Sequence, residues 1–215
     1  MNSAPPKPSG WATTPLLIVI SAPSGGGKTT LCQQLLAHHP EMTRAVTCTT
    51  RAPRPGEAEG RDYYFVDKNE FARRVHAQAF LEHALVHGRS YGTPKAQVLD
   101  NLRQGKDVLL AIDVQGAATI CARAMADADL SRALVTVFLT PATVRELEER
   151  LRRRGTDAPT ELEKRLAAAR YEIEQWTRFQ YLILSTTIAE DLRRMEAIVD
   201  AERMRQGRAK FNIGD

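Results

Sequence analysis

The segment Ser21-Ala-Pro-Ser-Gly-Gly-Gly-Lys-Thr-Thr30 is the most informative part of the sequence. It follows a short β-branched apolar run at residues 16–21 and precedes a predicted helix from residue 29 to about residue 38. Glycines let the backbone turn its N–H groups inward onto an anion, and the helix N-terminus adds the positive end of its dipole. The order of strand, glycine-rich loop and helix predicts an α/β protein whose first loop binds nucleotide phosphates.

Individual loop residues have predicted roles in binding these phosphates. Lys28 can reach the β- and γ-phosphates, and the Thr29 hydroxyl can ligate Mg²⁺. A merely flexible glycine turn would not need a Lys-Thr pair directly after the glycines. Ala22 stands where the first glycine of the general pattern is expected, and that position tolerates a small side chain. The predicted phosphate-binding residues are Ser24, Gly25, Gly26, Gly27, Lys28, Thr29 and Thr30.

Composition excludes several classes of protein. The chain has 215 residues, 43% of them hydrophobic and 26% charged, which suits one globular domain with a sizeable core. The net charge of +4 fits nucleic acid or a site that gathers phosphates, and arginines confined to motifs favour the phosphates. Three scattered cysteines without a CxxC spacing argue against a disulfide framework and a zinc site, and indicate a cytoplasmic protein. We expect no membrane or nucleic-acid partner.

Further apolar runs predict the remaining strands. Residues 107–112, 133–139 and 181–184 look like buried strands separated by helices, and residues 45–48 form a weaker candidate. The segment from about 51 to 93 differs, with short strands predicted at 62–66 and 80–86, and is interpreted as a small mixed insert. Residues 1–15 are rich in Pro, Ser and Thr and are predicted to be a disordered tail.

A second group of motifs follows the phosphate loop and carries a family resemblance. Together with the phosphate loop and Ile112-Asp-Val-Gln-Gly116, these motifs closely resemble guanylate kinases in order and spacing over about residues 16–205. The strings are Thr49-Thr-Arg-Ala-Pro-Arg-Pro-Gly-Glu57, Glu59-Gly-Arg-Asp-Tyr-Tyr-Phe65, Phe80-Leu-Glu-His83 and His87-Gly-Arg-Ser-Tyr-Gly-Thr-Pro94.

The resemblance implies Mg²⁺-dependent transfer of a phosphoryl group from ATP to GMP or dGMP. It also implies a P-loop core with a parallel five-stranded sheet flanked by helices, a small mixed α/β GMP-binding insert and a helical lid. Within a single domain of residues 16–215, the core would comprise about 16–46, 94–140 and 166–205, the insert about 47–93, and the lid about 141–165.

The same resemblance implies residue roles. Arg51 and Arg54 can pair with a phosphate dianion, and Glu82 can accept hydrogen bonds from guanine N1–H and the 2-amino group. Asp113 directly follows a buried strand and would act with Thr29 on Mg²⁺, directly or through water, unless it only forms the turn. The implied GMP-binding residues are Thr47, Arg51, Arg54, Tyr63, Glu82, Tyr91 and Thr93, and the implied catalytic residues are Lys28, Arg150, Arg154 and Arg165.

One residue and one short segment depart from the family pattern, and two other functions stay open. Ala111 stands where the family usually has an acid, and residues 185–187 replace an Asn-Asp pair near the expected adenine site. The alternatives are a kinase of a phosphorylated ribose on the same scaffold and a non-catalytic module that binds phosphopeptides. Glu82 and the full motif of residues 49–57 disfavour the ribose kinase, and the intact Lys28 and Thr29 disfavour the binding module. The expected partners are ATP and GMP, and a homo-oligomer is left open.

Overall fold

The computed structural model describes residues 11–86, 88–153 and 159–211. The strands are β1 Trp11–Thr13, β2 Leu17–Ser21, β3 Thr43–Arg44, β4 Cys48–Thr49, β5 Tyr64–Phe65, β6 Phe80–Val86, β7 Arg89–Pro94, β8 Val108–Ala111, β9 Leu134–Pro141, β10 Tyr181–Ser185 and β11 Ala209–Phe211. The α-helices are α1 Lys28–His38, α2 Lys68–His76, α3 Lys95–Arg103, α4 Val114–Ala124, α5 Ala128–Ala133, α6 Val144–Arg153, α7 Pro159–Glu174 and α8 Ile188–Met204.

A parallel sheet of five strands in the order β10-β9-β2-β8-β3 forms the centre of the protein. Apolar side chains of α1 and α8 cover one face, and those of α3, α4 and α5 cover the other. Both β2 and β9 are buried along their whole length, as expected for a sheet covered on both faces. The predicted α/β fold with a five-stranded parallel sheet is therefore confirmed.

Sheet order brings three chain segments to the same edge. Strand β2 lies between β8 and β9, and in a parallel sheet the carboxyl ends of neighbouring strands point the same way. The phosphate loop follows β2, Asp113 follows β8, and the lid helix α6 follows β9. The fold thus assembles the segments that the sequence predicts to bind phosphates.

The fifth strand was predicted wrongly. It is β3, Thr43–Arg44, which pairs with β8. The Ala45 N–H still donates to Leu109 O of β8 at 3.0 Å, and the chain then leaves this sheet and enters β4 of a second one at Cys48. Ala45 and Val46 are buried, so their apolar character is real. A short buried run does not reveal which neighbouring strand it will pair with.

The amino-terminal tail was predicted too long. Residues 11–13 form β1, antiparallel to β11, and the Thr14 N–H continues the contact by donating to Arg208 O at 2.9 Å. Arg208 in turn is buried and bonds to Leu134 O at the start of β9. The partner strand comes from the other end of the sequence, so local composition could not predict this pairing. Residues 1–10 lie outside the described part of the chain.

The second sheet is mixed, with the strand order β5-β4-β7-β6. Helix α2 packs on it through Phe71, whose ring lies 4.8 Å from that of Phe80. Strand β7 was not predicted, since its Gly, Ser and Pro content is atypical of strands. Its pairing with β6 places Glu82 directly opposite Thr93.

The lid helices α6 and α7 pack together through Leu147, Leu151 and Ala169. Leu151 also reaches the phosphate loop, because a Cβ atom added to Gly25 would lie 2.9 Å from Leu151 Cδ2. Lid and loop are therefore in direct contact. No helix among residues 11–86, 88–153 and 159–211 has the length and apolar character to cross a membrane.

Candidate active site

The phosphate loop is shaped by glycines in backbone conformations that other residues avoid. Gly25 and Gly27 have φ angles of 86° and 96°. The Gly26 N–H donates to Pro23 O at 2.9 Å, which closes a tight turn. Gly27 precedes α1 without a side chain to cap it, so the N–H groups of the first helical turn remain directed at the loop. This geometry suits an anion such as a phosphate.

Lys28 begins α1 and reaches across to the end of β8. Its ammonium group donates to Ile112 O at 2.9 Å, and the Ser21 hydroxyl donates to the same oxygen at 2.9 Å. Burial lowers the pKa of Lys28, and the nearby Asp113 carboxylate opposes that shift. Thr29 and Thr30 follow on the exposed side of α1.

Asp113 acts as the N-cap of α4. Its Oδ1 accepts from the N–H groups of Gln115 at 2.7 Å and Gly116 at 2.9 Å. The sequence left open that this Asp only forms the turn after the strand; the structure gives it a helix-capping role there. It also fixes the carboxylate at the sheet edge, close enough to Lys28 to influence its pKa.

Arg51 lies in a polar cluster at the start of the second sheet. Its Nη2 pairs with Glu57 Oε1 at 2.8 Å, and the other Glu57 oxygen accepts from the Arg54 N–H at 2.8 Å. The Arg51 guanidinium lies over the Tyr63 ring, 5.3 Å from its centroid, and Tyr63 meets Tyr91 edge-on at 6.1 Å. Glu57 raises the pKa of Arg51, so this guanidinium stays charged.

One atom of this cluster lacks a hydrogen-bond partner. Among the described residues, the buried Nε of Arg51 has none. A buried donor left unsatisfied costs free energy, which an anionic ligand would recover. Arg54 is exposed beside it, so the two arginines, Tyr63 and Tyr91 are grouped as the sequence predicts.

Glu82 is the buried carboxylate of the second sheet, with only 2% of its surface exposed. Its Oε1 accepts from the Thr93 hydroxyl at 2.5 Å. Burial raises the pKa of Glu82 to about 7; the Thr93 hydrogen bond opposes this shift and the Asp113 carboxylate adds to it. Thr47 is also buried, directly before β4.

The lid places Arg150 beside the phosphate loop. Arg150 Nη1 would lie 4.0 Å from a Cβ atom on Gly27. Its guanidinium bonds to Glu146 Oε1 at 2.8 Å and to the Ser185 hydroxyl oxygen at 3.1 Å. Ser185 in turn donates to the buried Asp191 at 2.7 Å. Arg150, Ser185 and Asp191 border a cavity of about 300 Å³ next to the loop.

Of the other two predicted lid arginines, Arg165 and Arg154, the structure describes only the first. Arg165 is half-buried on α7. Arg154 lies outside the described residues, and its predicted role stays a prediction.

Two carboxylates of the site were missed as functional residues. Glu57 stands inside the quoted arginine motif, and its pairing with Arg51 could have been suspected from that closeness. Glu172 on α7 accepts from the Ser24 N–H of the phosphate loop at 3.2 Å. Glu172 lies two helical turns after Arg165, on the same face of the helix. This spacing is the one feature of the sequence that could have indicated its place in the site.

Taken together, the parallel sheet, the glycine-rich loop with its lysine, the arginine-bearing helix α6 and the second sheet with its arginine cluster and buried Glu82 are features of a P-loop phosphotransferase. A family model described as guanylate kinase matches residues 14–202. The chain belongs to the guanylate kinase family, the ATP:GMP phosphotransferases.

Named relatives agree with that assignment. The chain is 41% identical to a guanylate kinase of Maricaulis maris over 89% of this chain and 85% of the other. It is 42% identical to a guanylate kinase of Paramagnetospirillum magneticum over 90% and 87%. A crystal structure of guanylate kinase from Anaplasma phagocytophilum superposes with a TM-score of 0.76 at 33% identity, covering 94% of this chain and 93% of that one. The family resemblance read from the motifs is confirmed, and neither alternative function gains support.

Proposed function

We propose that the chain transfers the γ-phosphoryl group of ATP to GMP, and to dGMP, in a Mg²⁺-dependent reaction that yields ADP and GDP. One observation supports this assignment best. The segment from Ile112 to Gly116 is contacted at both ends: Lys28 bonds to Ile112 O, and the Glu82 carboxylate packs against Gly116. A nucleotide on the phosphate loop and a base at Glu82 would therefore bind at the two ends of one short segment.

The acceptor phosphate would bind at the arginine cluster. Arg51 and Arg54 supply two positive charges, and Tyr63 and Tyr91 supply hydroxyl donors. Glu57 now accepts from both arginines, one through its side chain and one through its backbone. A phosphate dianion offers more acceptor oxygens and more charge than this carboxylate, and it would satisfy the orphaned Arg51 Nε.

Guanine would be read by Glu82 with Thr47 and Thr93. Guanine presents two donors side by side, and a carboxylate accepts both. Adenine presents neither, and would leave the buried carboxylate unpaired, which is more costly than a missing contact. The Thr93 bond holds the carboxylate in place before the base arrives.

The donor side would use the phosphate loop and the lid. The loop residues Ser24, Gly25, Gly26, Gly27, Lys28, Thr29 and Thr30 would cradle the ATP phosphates. Arg150, already beside Gly27, would close on the transferring group together with Arg154 and Arg165. The cavity beside Ser185 would take the adenosine.

The donor atoms fit Mg²⁺, a hard cation that prefers oxygen ligands and usually binds through few protein groups plus substrate phosphates. The Thr29 hydroxyl and the Asp113 carboxylate would hold it, the latter directly or through water. Among the described residues no cluster of three His, Cys, Asp or Glu could form an all-protein cage. Bound Mg²⁺ would neutralise charge on the phosphates.

The proposed mechanism needs little covalent chemistry from the protein. The attacking oxygen of GMP is already anionic, so no strong general base is required. Lys28 and the arginines position the two nucleotides in line and neutralise developing charge. Contact of the lid with the phosphate loop through Leu151 would exclude water when the lid closes.

An ADP-release assay tests this function directly. ATP and Mg²⁺ would be supplied with GMP, dGMP, AMP, CMP, UMP or ribose phosphates, each in turn. We expect turnover with GMP and dGMP only. Lys28→Ala serves as the control for the phosphate loop and should lose on the order of 10²-fold or more in turnover while its melting temperature is unchanged. Preferred turnover of a ribose phosphate, or binding of GMP without turnover, would contradict the proposal.

The partners and location follow from the same proposal. We infer a cytoplasmic enzyme that acts on the small molecules ATP and GMP, with neither nucleic acid nor membrane as partner. The sequence leaves a homo-oligomer open.

A further inference from the structure

Gly116, the third residue of α4, lies against the Glu82 carboxylate. A Cβ atom built on Gly116 would lie 2.5 Å from Glu82 Oε2 and 3.1 Å from its Cδ. Favourable contacts between carbon and other heavy atoms need about 3.5 Å or more. The carboxylate therefore occupies the space that any other side chain at position 116 would fill.

The backbone of Gly116 gives no other reason for a glycine. Gly116 is absent from the described glycines with positive φ, and it lies in the first turn of α4. Glycine is a poorer helix former than alanine, by up to about 1 kcal/mol. The helix would be more stable with alanine, so the close approach of Glu82 is what glycine permits here.

The carboxylate has no easy way to move aside. Its other oxygen, Oε1, accepts a hydrogen bond from Thr93, and the residue is buried. On the Gly116 side, Ile112 Cδ1 would itself lie 3.2 Å from the added Cβ, so the helix cannot shift toward it freely. A methyl group at position 116 would push the carboxylate off Thr93 or toward the base site.

We propose that Gly116 is a specificity-determining position for the acceptor base, because its missing side chain seats the Glu82 carboxylate where it meets guanine. The inference rests on the proposed role of Glu82. Gly116 is a positioning residue, since it acts through Glu82 and needs no contact with the substrate.

Gly116→Ala is expected to lower kcat/KM for GMP by about 10- to 100-fold, mainly through KM, because a displaced carboxylate loses one or both guanine donors. Affinity for ATP should change less than about 2-fold. Gly207→Ala is the matched control: it has open space around it and no positive φ, and it should leave both constants unchanged.

A double-mutant cycle with Glu82→Ala separates positioning from general damage to α4. When the carboxylate is absent, Gly116→Ala should no longer affect kcat/KM for GMP. It should also raise the melting temperature in that background, because alanine then acts only as a better helix former. An equal loss of GMP activity in both backgrounds, or no loss in either, would overturn the proposal for Gly116.

Failure of the underlying function gives a different result. If Glu82→Ala alone keeps the preference of the protein for GMP over AMP, Glu82 does not read guanine, whatever Gly116→Ala does. If Glu82→Ala removes that preference and Gly116→Ala leaves it intact, only the inference about Gly116 is wrong.

Discussion

The Glu172 carboxylate accepts a hydrogen bond from the Ser24 N–H at 3.2 Å, so a lid helix contributes an anion to the phosphate loop. Glu172 also lies near enough to Lys28 to oppose the lowering of its pKa. An ATP phosphate approaching this N–H would meet a negative charge. If the Ser24 N–H binds an ATP phosphate as proposed, we expect the Glu172 carboxylate on α7 to move away from it when ATP binds.

Glu172→Gln should tighten ATP binding, by about 3- to 10-fold, because the neutral amide no longer repels the phosphates. Titration of the nucleotide-free protein with ATP measures the effect. Glu174→Gln, an exposed carboxylate on the same helix, is the matched control and should change little. Weaker ATP binding by Glu172→Gln would mean that Glu172 holds the loop in its binding conformation.

Arg150→Ala should lower kcat more than it weakens binding of ATP or GMP. Its guanidinium already lies near Gly27, and we expect its strongest interaction with the phosphoryl group in the closed, reacting complex. Equilibrium titrations and steady-state rates on one preparation distinguish the two effects. Arg152→Ala, which removes an exposed guanidinium paired with Glu148, is the control. Lost affinity with an unchanged kcat would place Arg150 in ground-state binding.

Glu82→Gln should reduce discrimination between GMP and AMP. The amide keeps the size of the side chain but turns an NH₂ group toward one guanine donor. We expect kcat/KM for GMP to fall by a factor that corresponds to about 2–4 kcal/mol of activation free energy, and kcat/KM for AMP to fall far less. The missing acid at Ala111 should make this loss larger than in relatives that have one. An unchanged ratio of GMP to AMP would show that the base is read elsewhere.

The raised pKa of Glu82, about 7, predicts two effects of pH. Guanine needs the ionised carboxylate, so GMP affinity should fall as pH decreases below about 7, and GMP binding near pH 6 should release a proton. Calorimetric titration in buffers of different ionisation enthalpy measures that proton. Glu82→Gln should show neither effect.

The stability of the ligand-free protein should change with pH in the opposite direction. The folded state holds the Glu82 proton more tightly than the unfolded state does. The free energy of folding that this proton contributes is therefore fully present below pH 4.5 and is lost as pH rises through about 7. Glu82→Gln should therefore be more stable than the wild type at pH 8, by an amount on the order of 3 kcal/mol. Denaturant unfolding of both proteins at pH 5 and pH 8 tests this prediction. If the free energies of unfolding of the variant and the wild type differ by the same amount at both pH values, the raised pKa of Glu82 is contradicted.

Features that depend on local interactions could be predicted from the sequence. The strand before the phosphate loop, the glycines with positive φ and the helix beginning at Lys28 lie within about 20 consecutive residues, and each is favoured by its own residue types. The order of the motifs was enough to predict the family and the grouping of Arg51, Tyr63 and Tyr91.

Contacts between distant segments of the chain could be identified only in the folded protein. Strand β1 pairs with β11 across almost the whole chain, and Thr43–Arg44 completes the parallel sheet in place of the more apolar residues 45–48. The contacts of Glu172 with the phosphate loop and of Gly116 with Glu82 likewise join separate elements. Such contacts depend on how whole elements pack, and no local pattern of residue types encodes them.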